Sequence, residues 1–261
     1  MKDFNISSSV ENYIRNIDMF RESTIDSTVY IPTGFEDLDL GLNGGLQKQN
    51  LYILKGRKGI GKTCLASNIV FNLSLNGYKT MFCTIQTDTG TITQKMLSNV
   101  SGVPYRKVKS GLLTEQEYDF LTCAGSTLAT RNISLLSNKN KLEDIITEAC
   151  ELKTDSGLDA IIIDSLELIK VDHKKARTIL NTLKNVAKQI DVSILVVSDD
   201  SSIDESTMLT DIDYLLYYQC HKLDGLIPKA SYNVTVYVLN KTVNRPENVL
   251  LRYTPGLQRF Y

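Results

Sequence analysis

The sequence predicts an α/β domain built on a mainly parallel sheet, and three features of its pattern support this. Apolar runs with little alternation recur along the chain, as expected of strands that are buried on both faces. Segments with helical apolar spacing lie between these runs, so strands and helices alternate. The tail alternates apolar and polar residues at Val234, Val236 and Val238 and again at Val249 and Leu251. This alternation predicts an antiparallel hairpin that closes the sheet.

The predicted elements follow one another in the order that crossover connections require. The strands are expected at residues 51–55, 80–85, 132–136, 159–164 and 192–197. The helices are expected at residues 62–76, 91–101, 115–128, 141–153 and 173–190. Thr114 and Glu117 have the spacing of a capping box at the start of the third helix.

The 261 residues suit one α/β domain with a short appendage. Residues 8–21 have the spacing of an amphipathic helix, and the polar, β-branched stretch after it is interpreted as a linker. We therefore divide the chain into an N-terminal helix and linker at residues 1–31 and a compact domain at residues 32–261.

Composition excludes several classes of function. The net charge of −1 gives no sign of a broadly basic, nucleic-acid-binding surface, so any DNA contact must come from local patches. The five cysteines lack the spacing of a zinc site or a disulfide framework. The N-terminus lacks the apolar core of a signal peptide, and no apolar run approaches the ~18 residues of a membrane span. We expect a cytoplasmic protein that makes no membrane contact.

The clearest motif is a complete Walker A pattern, GxxxxGK[ST], between a predicted strand and a predicted helix. Its glycines, Gly56, Gly59 and Gly61, let backbone N–H groups turn toward phosphate oxygens at a helix N-terminus. Lys62 is expected at the β- and γ-phosphates, and Thr63 is expected to hold Mg²⁺. The motif predicts binding of a nucleoside triphosphate, ATP, together with Mg²⁺.

A second Mg²⁺ contact is expected from a carboxylate at the end of another strand. The run Ile161-Ile162-Ile163-Asp164 is a buried strand that ends in an acid. Because a complete phosphate loop precedes this strand in the chain, Asp164 is the Walker B candidate, the carboxylate that bridges to the metal.

Several stretches resemble a known family. The segment from Thr33 to Asp39 resembles the entry motif of RecA-like helicases and of KaiC and RadA-type ATPases. Residues 106–113, 164–169 and 244–261 are similar specifically to DnaB-type replicative helicases. The resemblance covers about residues 31–261, and it implies a RecA-like P-loop fold and a role in DNA replication. The helix at 8–21 stands where that family has a linker helix that docks on the neighbouring subunit of a hexameric ring. The resemblance therefore implies that the chain associates with itself in a ring or associates with a related helicase.

The resemblance fails at two positions of the catalytic machinery. The family places a glutamate at the end of the second strand to activate water, and the matching residue here is Gln86. An amide can orient water but cannot accept its proton. Asp88 could substitute only if its loop turns inward. The family's sensor residue after the strand at 192–197 is usually glutamine, whereas this chain has Asp199.

A third departure concerns the groups that the family extends across the subunit interface. Lys241 matches the family's lysine, but Val243 occupies the position of the arginine finger. Arg245 lies two residues further along a predicted strand and therefore on the same side. It is either a displaced finger or a surface residue of the hairpin.

The expected DNA-binding loops are also altered. Residues 198–206 are acidic, and no Lys or Arg follows until Lys222, so this stretch would repel phosphates. A basic group remains at the other loop. It consists of Lys170, His173, Lys174, Lys175 and Arg177. This group is either a residual contact to single-stranded DNA or a solvated helix start.

Two hypotheses follow from this pattern of matches and departures. The first is a DnaB-like helicase domain that binds ATP and Mg²⁺ in DNA replication, with its hydrolysis of ATP and its grip on DNA weakened or lost. The second is a non-motor, ATP-binding subunit that joins or regulates a helicase or another replication protein.

Overall fold

The computed structural model describes residues 30–170, 176–199, 212–220, 231–240 and 243–261, with only the backbone described over 243–246. No helix within those ranges is both long enough and apolar enough to cross a membrane. The helix predicted at 8–21 lies outside them. Tyr30–Ile31, the last two residues of the predicted linker, form a short strand that pairs with Leu46–Gln47.

Among the described residues, nine strands form one sheet and two short strands pair separately. In chain order they are β1 (Tyr30–Ile31), β2 (Leu46–Gln47), β3 (Leu51–Gly56), β4 (Thr80–Thr84), β5 (Ile133–Ser137), β6 (Ala160–Asp164), β7 (Ser193–Asp199), β8 (Tyr214–Cys220), β9 (Tyr232–Asn240), β10 (Val243–Thr254) and β11 (Arg259–Phe260). The order across the main sheet is β11-β10-β9-β8-β3-β7-β6-β4-β5. The strands from β8 to β5 in this order pair in parallel, and β8 to β11 pair antiparallel. The prediction of a mainly parallel sheet closed by an antiparallel hairpin is therefore confirmed.

Seven α-helices lie in the described part of the chain. They are α1 (Glu36–Gly41), α2 (Lys62–Leu75), α3 (Thr89–Ser101), α4 (Tyr105–Ser110), α5 (Glu115–Ala129), α6 (Leu142–Asp155) and α7 (Ala176–Gln189). All five predicted helices are present, while the short α1 and α4 were not predicted. The capping box of α5 is confirmed, since the Thr114 hydroxyl accepts from the Glu117 N–H and the Glu117 carboxylate accepts from the Thr114 N–H.

The parallel strands β3, β4, β6 and β7 are buried on both faces, which explains their nearly continuous apolar sequences. Along β3, Tyr52 and Leu54 point into one core cluster, whereas Leu51 and Ile53 point into the other. The first cluster is covered by α2 and α3, and the second by α6 and α7. Two layers of helices therefore enclose the sheet and fix the level at which each strand ends.

The entry motif closes the turn that leads into α1. The backbone N–H and the hydroxyl of Thr33 both donate to Oδ1 of Asp39, at 2.7 and 2.6 Å. The Gly34 N–H donates to the other carboxylate oxygen at 3.2 Å. Burial raises the pKa of Asp39, although these bonds oppose the shift. The side chain of Asp39 therefore holds the turn before α1 in place.

The C-terminal strands are tied to the helix that follows the phosphate loop. The buried amide of Asn68 on α2 donates to the carbonyl of Gln258 at 2.9 Å and accepts from the N–H of Phe260 at 3.0 Å. The hydroxyl of Tyr218 on β8 donates to the carbonyl of Ile60 at 3.1 Å. Strand β8 and the C-terminal residues 258–260 thus hold the phosphate loop and α2 in place.

Candidate nucleotide-binding site

The phosphate loop runs from the end of β3 to the start of α2, and its glycines are required by geometry. Gly61 has a φ of 113°, a left-handed conformation that side chains disfavour. A Cβ atom on Gly56 would lie 2.6 Å from the backbone oxygen of Tyr218 on the neighbouring β8. The loop therefore follows a backbone path that only glycine permits at these two points.

The N-terminus of α2 is suited to bind an anion. The helix has 14 residues and begins at Lys62, and its cap residue Gly61 offers no side-chain acceptor. Helices leave their first backbone N–H groups without intrahelical partners, and the helix dipole adds positive potential there. The first turn of α2 can therefore donate to phosphate oxygens. Together with the glycine loop, this arrangement fits the phosphates of a nucleotide.

The side chain of Lys62 is buried and surrounded by oxygen atoms. Its ammonium donates to the carbonyls of Gly56 and Arg57 at 2.6 and 2.7 Å and to Oδ1 of Asp199 at 2.8 Å. The Lys62 side chain is only 6% exposed. A buried charge is tolerated only when it is paired and hydrogen-bonded, and these three acceptors meet that condition. The sequence analysis noted Asp199 as a departure but had no sign of this ion pair.

Thr63 and Asp164, the two residues expected to hold Mg²⁺, lie together. The hydroxyl of Thr63 hydrogen-bonds to the carboxyl of Asp164, at the end of β6. Burial raises the pKa of Asp164, while the bond from Thr63 and the charges of Lys62 and Lys95 oppose that shift. A hydroxyl beside a carboxylate is a suitable oxygen pair for Mg²⁺. No cluster of three or more metal-ligating side chains is found in the described ranges.

Two further charged residues, which are not among the candidate site residues of the sequence, lie near this pair. Lys95 lies on α3, and its positive charge opposes the rise that burial causes in the pKa of Asp164 and of Cys64. Glu167 follows β6, and its Oε1 accepts from the hydroxyl of Ser198 at 2.8 Å and from the N–H of Asp199 at 2.7 Å. The only local hint of a role for Lys95 was that it stands next to Met96, which is buried on α3. Glu167 ties the end of β7 to the loop after Asp164.

The two candidates for the catalytic base occupy different settings. Gln86 is exposed and lies two residues beyond the end of β4. Asp88 is the N-cap of α3, where its carboxylate accepts from the hydroxyl and the N–H of Thr91 at 2.7 and 2.9 Å. These bonds hold the pKa of Asp88 below its usual value. Asp88 thus has a structural role at the helix start that the sequence analysis did not anticipate.

The remaining sequence candidates fall largely outside the described residues. Lys241 lies outside them, and Arg245 is described only by its backbone position on β10. The acidic stretch is described up to Asp199. Of the basic group, residues 173–175 lie outside. The finger and DNA-contact hypotheses therefore stay predictions.

Comparison with known proteins identifies the family. A family model described as "DnaB-like helicase C terminal domain" matches residues 30–207. The chain belongs to this family. The resemblance found in the sequence is therefore confirmed, and the site described above is that of a DnaB-like domain.

Two curated relatives show what share of a helicase's length this DnaB-like chain matches. It is 30% identical over 193 residues to a probable plasmid replicative DNA helicase of Chlamydia muridarum (strain MoPn / Nigg), a match that covers 71% of the chain and 41% of the relative. It is 26% identical over 222 residues to the replicative DNA helicase DnaB of Geobacillus stearothermophilus, a match that covers 80% of the chain and 48% of that relative. These matches span less than half the length of either relative.

Two solved structures support the fold across nearly the whole chain. One, described as an ATPase domain, superposes with a TM-score of 0.77 and covers 99% of both chains, at 16% sequence identity. The other, described as a DnaB-like replicative helicase, superposes with a TM-score of 0.80 at 17% identity and covers 96% of this chain and 66% of that chain. At these identities the likeness concerns the fold alone. It agrees with the RecA-like architecture that the sequence implied.

The burial of Asp164 predicts a conflict between stability and metal binding. A raised pKa means that the folded chain disfavours the ionised carboxyl relative to the unfolded chain, so the charge lowers stability at neutral pH. Asp164→Asn should therefore raise the Tm without nucleotide, by ~2–4 °C for each ~1 kcal/mol relieved. Calorimetric scans at pH 7 measure this, with the exposed Asp119→Asn as the matched control. A lower Tm in Asp164→Asn alone would show that the contacts from Thr63, Lys62 and Lys95 outweigh the cost of burial.

Proposed function

We propose that this DnaB-like domain binds ATP with Mg²⁺ through the phosphate loop, Lys62, Thr63 and Asp164. The observation that carries the proposal is the buried ammonium of Lys62, held by three oxygen acceptors at a helix N-terminus without a side-chain cap. The first N–H groups of α2 lack intrahelical partners, so they and Lys62 can bind an anion together. The phosphates of a nucleotide are the anions that this loop geometry suits.

The residues around Lys62 divide the tasks of binding. Backbone N–H groups of the first turn of α2 would donate to phosphate oxygens, while Lys62 neutralises their charge. Thr63 and Asp164 would hold the metal, which when bound screens the phosphates and orients them. Lys95 adds a second positive charge near Asp164. The proposal thus assigns both phosphate and metal binding to residues of one chain.

We infer that hydrolysis by the isolated site is slow. Gln86, in the position of the family's glutamate, is neutral and has no basic oxygen to accept a proton from water. The carboxylate of Asp88 is engaged with Thr91 as a helix cap. Neither candidate therefore offers a free base beside the phosphate loop.

The role of the whole protein is proposed from its family. Both curated relatives named above are replicative DNA helicases, so we place this chain in DNA replication. Self-association into a ring, or association with a related helicase, would bring a neighbour's cation to each site. Contact with single-stranded DNA would be weak, because residues 198–206 are acidic.

A second candidate function is a non-motor, ATP-binding assembly or regulatory subunit. Gln86 and Asp199 favour it, because they replace two family residues of the catalytic machinery while the binding residues are kept. In this version, nucleotide binding would control assembly, and turnover would not be needed.

Binding should depend on the charge of Lys62. Lys62→Ala removes a charge-assisted contact worth ~1.5–3 kcal/mol, so the affinity for Mg-ATP should fall at least about tenfold. Isothermal titration calorimetry measures this. Lys58→Ala, which removes the same charge from an exposed position of the same loop, is the matched control. Equal ATP affinity in wild type and Lys62→Ala would refute the phosphate-loop assignment.

Restoring an acid at position 86 should raise turnover. A positioned general base is typically worth ~10²–10⁴-fold, so Gln86→Glu should hydrolyse ATP faster than wild type in a steady-state phosphate-release assay. Gln86→Leu, which is of similar size but apolar, should show no gain. The slow-motor proposal fails if the wild-type protein turns over as fast as working helicases and is stimulated by single-stranded DNA. Absence of turnover in both the wild type and Gln86→Glu would favour the assembly subunit.

A further inference from the structure

The ammonium of Lys62 already uses all of its donors within the protein. Its three acceptors are the carbonyl oxygens of Gly56 and Arg57 and the carboxylate of Asp199, all within 2.8 Å. An ammonium group has three N–H donors. A bond from Lys62 to a phosphate oxygen therefore requires that one of these acceptors be displaced.

Asp199 is held in this position by the sheet. Strands β3 and β7 are parallel neighbours, and their register places Gly56 directly beside Asp199. Oε1 of Glu167 accepts from the N–H of Asp199 at 2.7 Å and from the hydroxyl of Ser198 at 2.8 Å. The backbone at the end of β7 is thus fixed from two sides, and the ion pair is part of the fold.

Among the three acceptors, the carboxylate of Asp199 is the one suited to leave. The carbonyls of Gly56 and Arg57 belong to the loop backbone and stay with it. The side chain of Asp199 is 31% exposed, against 6% for Lys62, so it can turn toward water. Its negative charge also repels an incoming phosphate.

We propose that Asp199 is an autoinhibitory latch, an internal carboxylate that competes with nucleotide phosphate for the Walker A lysine. This inference rests on the proposed function, because it needs a nucleotide as the competitor. In the closed latch, Asp199 occupies the donor of Lys62 that a phosphate would use. Nucleotide binding opens the latch, and the affinity is lower than the loop alone would give.

The latch predicts a gain of binding from the isosteric variant Asp199→Asn. The amide keeps the shape of the side chain but lacks the charge, so its hold on Lys62 is weaker. The affinity for Mg-ATP and for Mg-ATPγS should rise by roughly fivefold to tenfold, as expected when a charged hydrogen bond becomes a neutral one. Isothermal titration calorimetry with the full chain measures this. Asp119→Asn, a neutralised acid at an exposed position on α5, is the control for net charge.

A Lys62→Ala background separates the latch from simple repulsion. If Asp199 acts by occupying Lys62, Asp199→Asn should improve affinity much less in Lys62→Ala than in the wild type. A gain of equal size in both backgrounds would mean that Asp199 only repels phosphate, and it would overturn the latch. A loss of affinity in Asp199→Asn would also overturn it, since Asp199 would then be a ligand of the bound nucleotide or its metal.

Thermal unfolding without nucleotide tests the ion pair by itself. The change in Tm of the double variant should differ from the sum of the changes in Lys62→Ala and Asp199→Asn, each measured against the wild type. Residues in direct contact are coupled in this way. Additive changes would overturn the latch before any nucleotide is added. If coupling is present but no variant binds nucleotide, the proposed function fails and the latch fails with it. If the wild type binds nucleotide and Asp199→Asn shows no gain, the latch alone fails.

Discussion

A buried ammonium must be surrounded by acceptors, and this requirement organises the site around Lys62. The parallel sheet meets it because the carboxyl ends of β3, β6 and β7 lie at one edge. Gly56 pairs in register with Asp199, and Asp164 pairs with Val197 on the same strand. The phosphate loop and the carboxylates of Asp164 and Asp199 are therefore brought together by strand register, without help from long loops.

The same arrangement explains how much of the molecule could be predicted. Apolar runs and helical spacing identified five of the six parallel strands and the five longer helices, since these patterns follow directly from burial. Strand β8 was not predicted, although its sequence is an apolar run of the kind that identified the other parallel strands. The short helices α1 and α4 contain too few residues to show a period.

At the site, the local motif was predictable and the long-range contacts were not. The loop, Thr63 and Asp164 follow from patterns of a few consecutive residues. The ion pair joins Lys62 to a residue 137 positions away, and only strand register brings the two together. Lys95 was missed for the same reason, since it reaches the site from α3. Asp88, a conditional candidate for the base in the sequence, caps α3 in the structure, a local role that the sequence analysis did not predict.

In the proposed binding step, Lys62 exchanges its internal carboxylate for a nucleotide phosphate. The most direct measurement is a crystal structure of the full chain with Mg²⁺ and a non-hydrolysable ATP analogue. We expect Lys62 Nζ within hydrogen-bond distance of the β- or γ-phosphate oxygens, Thr63 and Asp164 at the metal, and the carboxylate of Asp199 turned away from Lys62. A bound analogue with the 2.8 Å contact between Lys62 and Asp199 still intact would contradict the account.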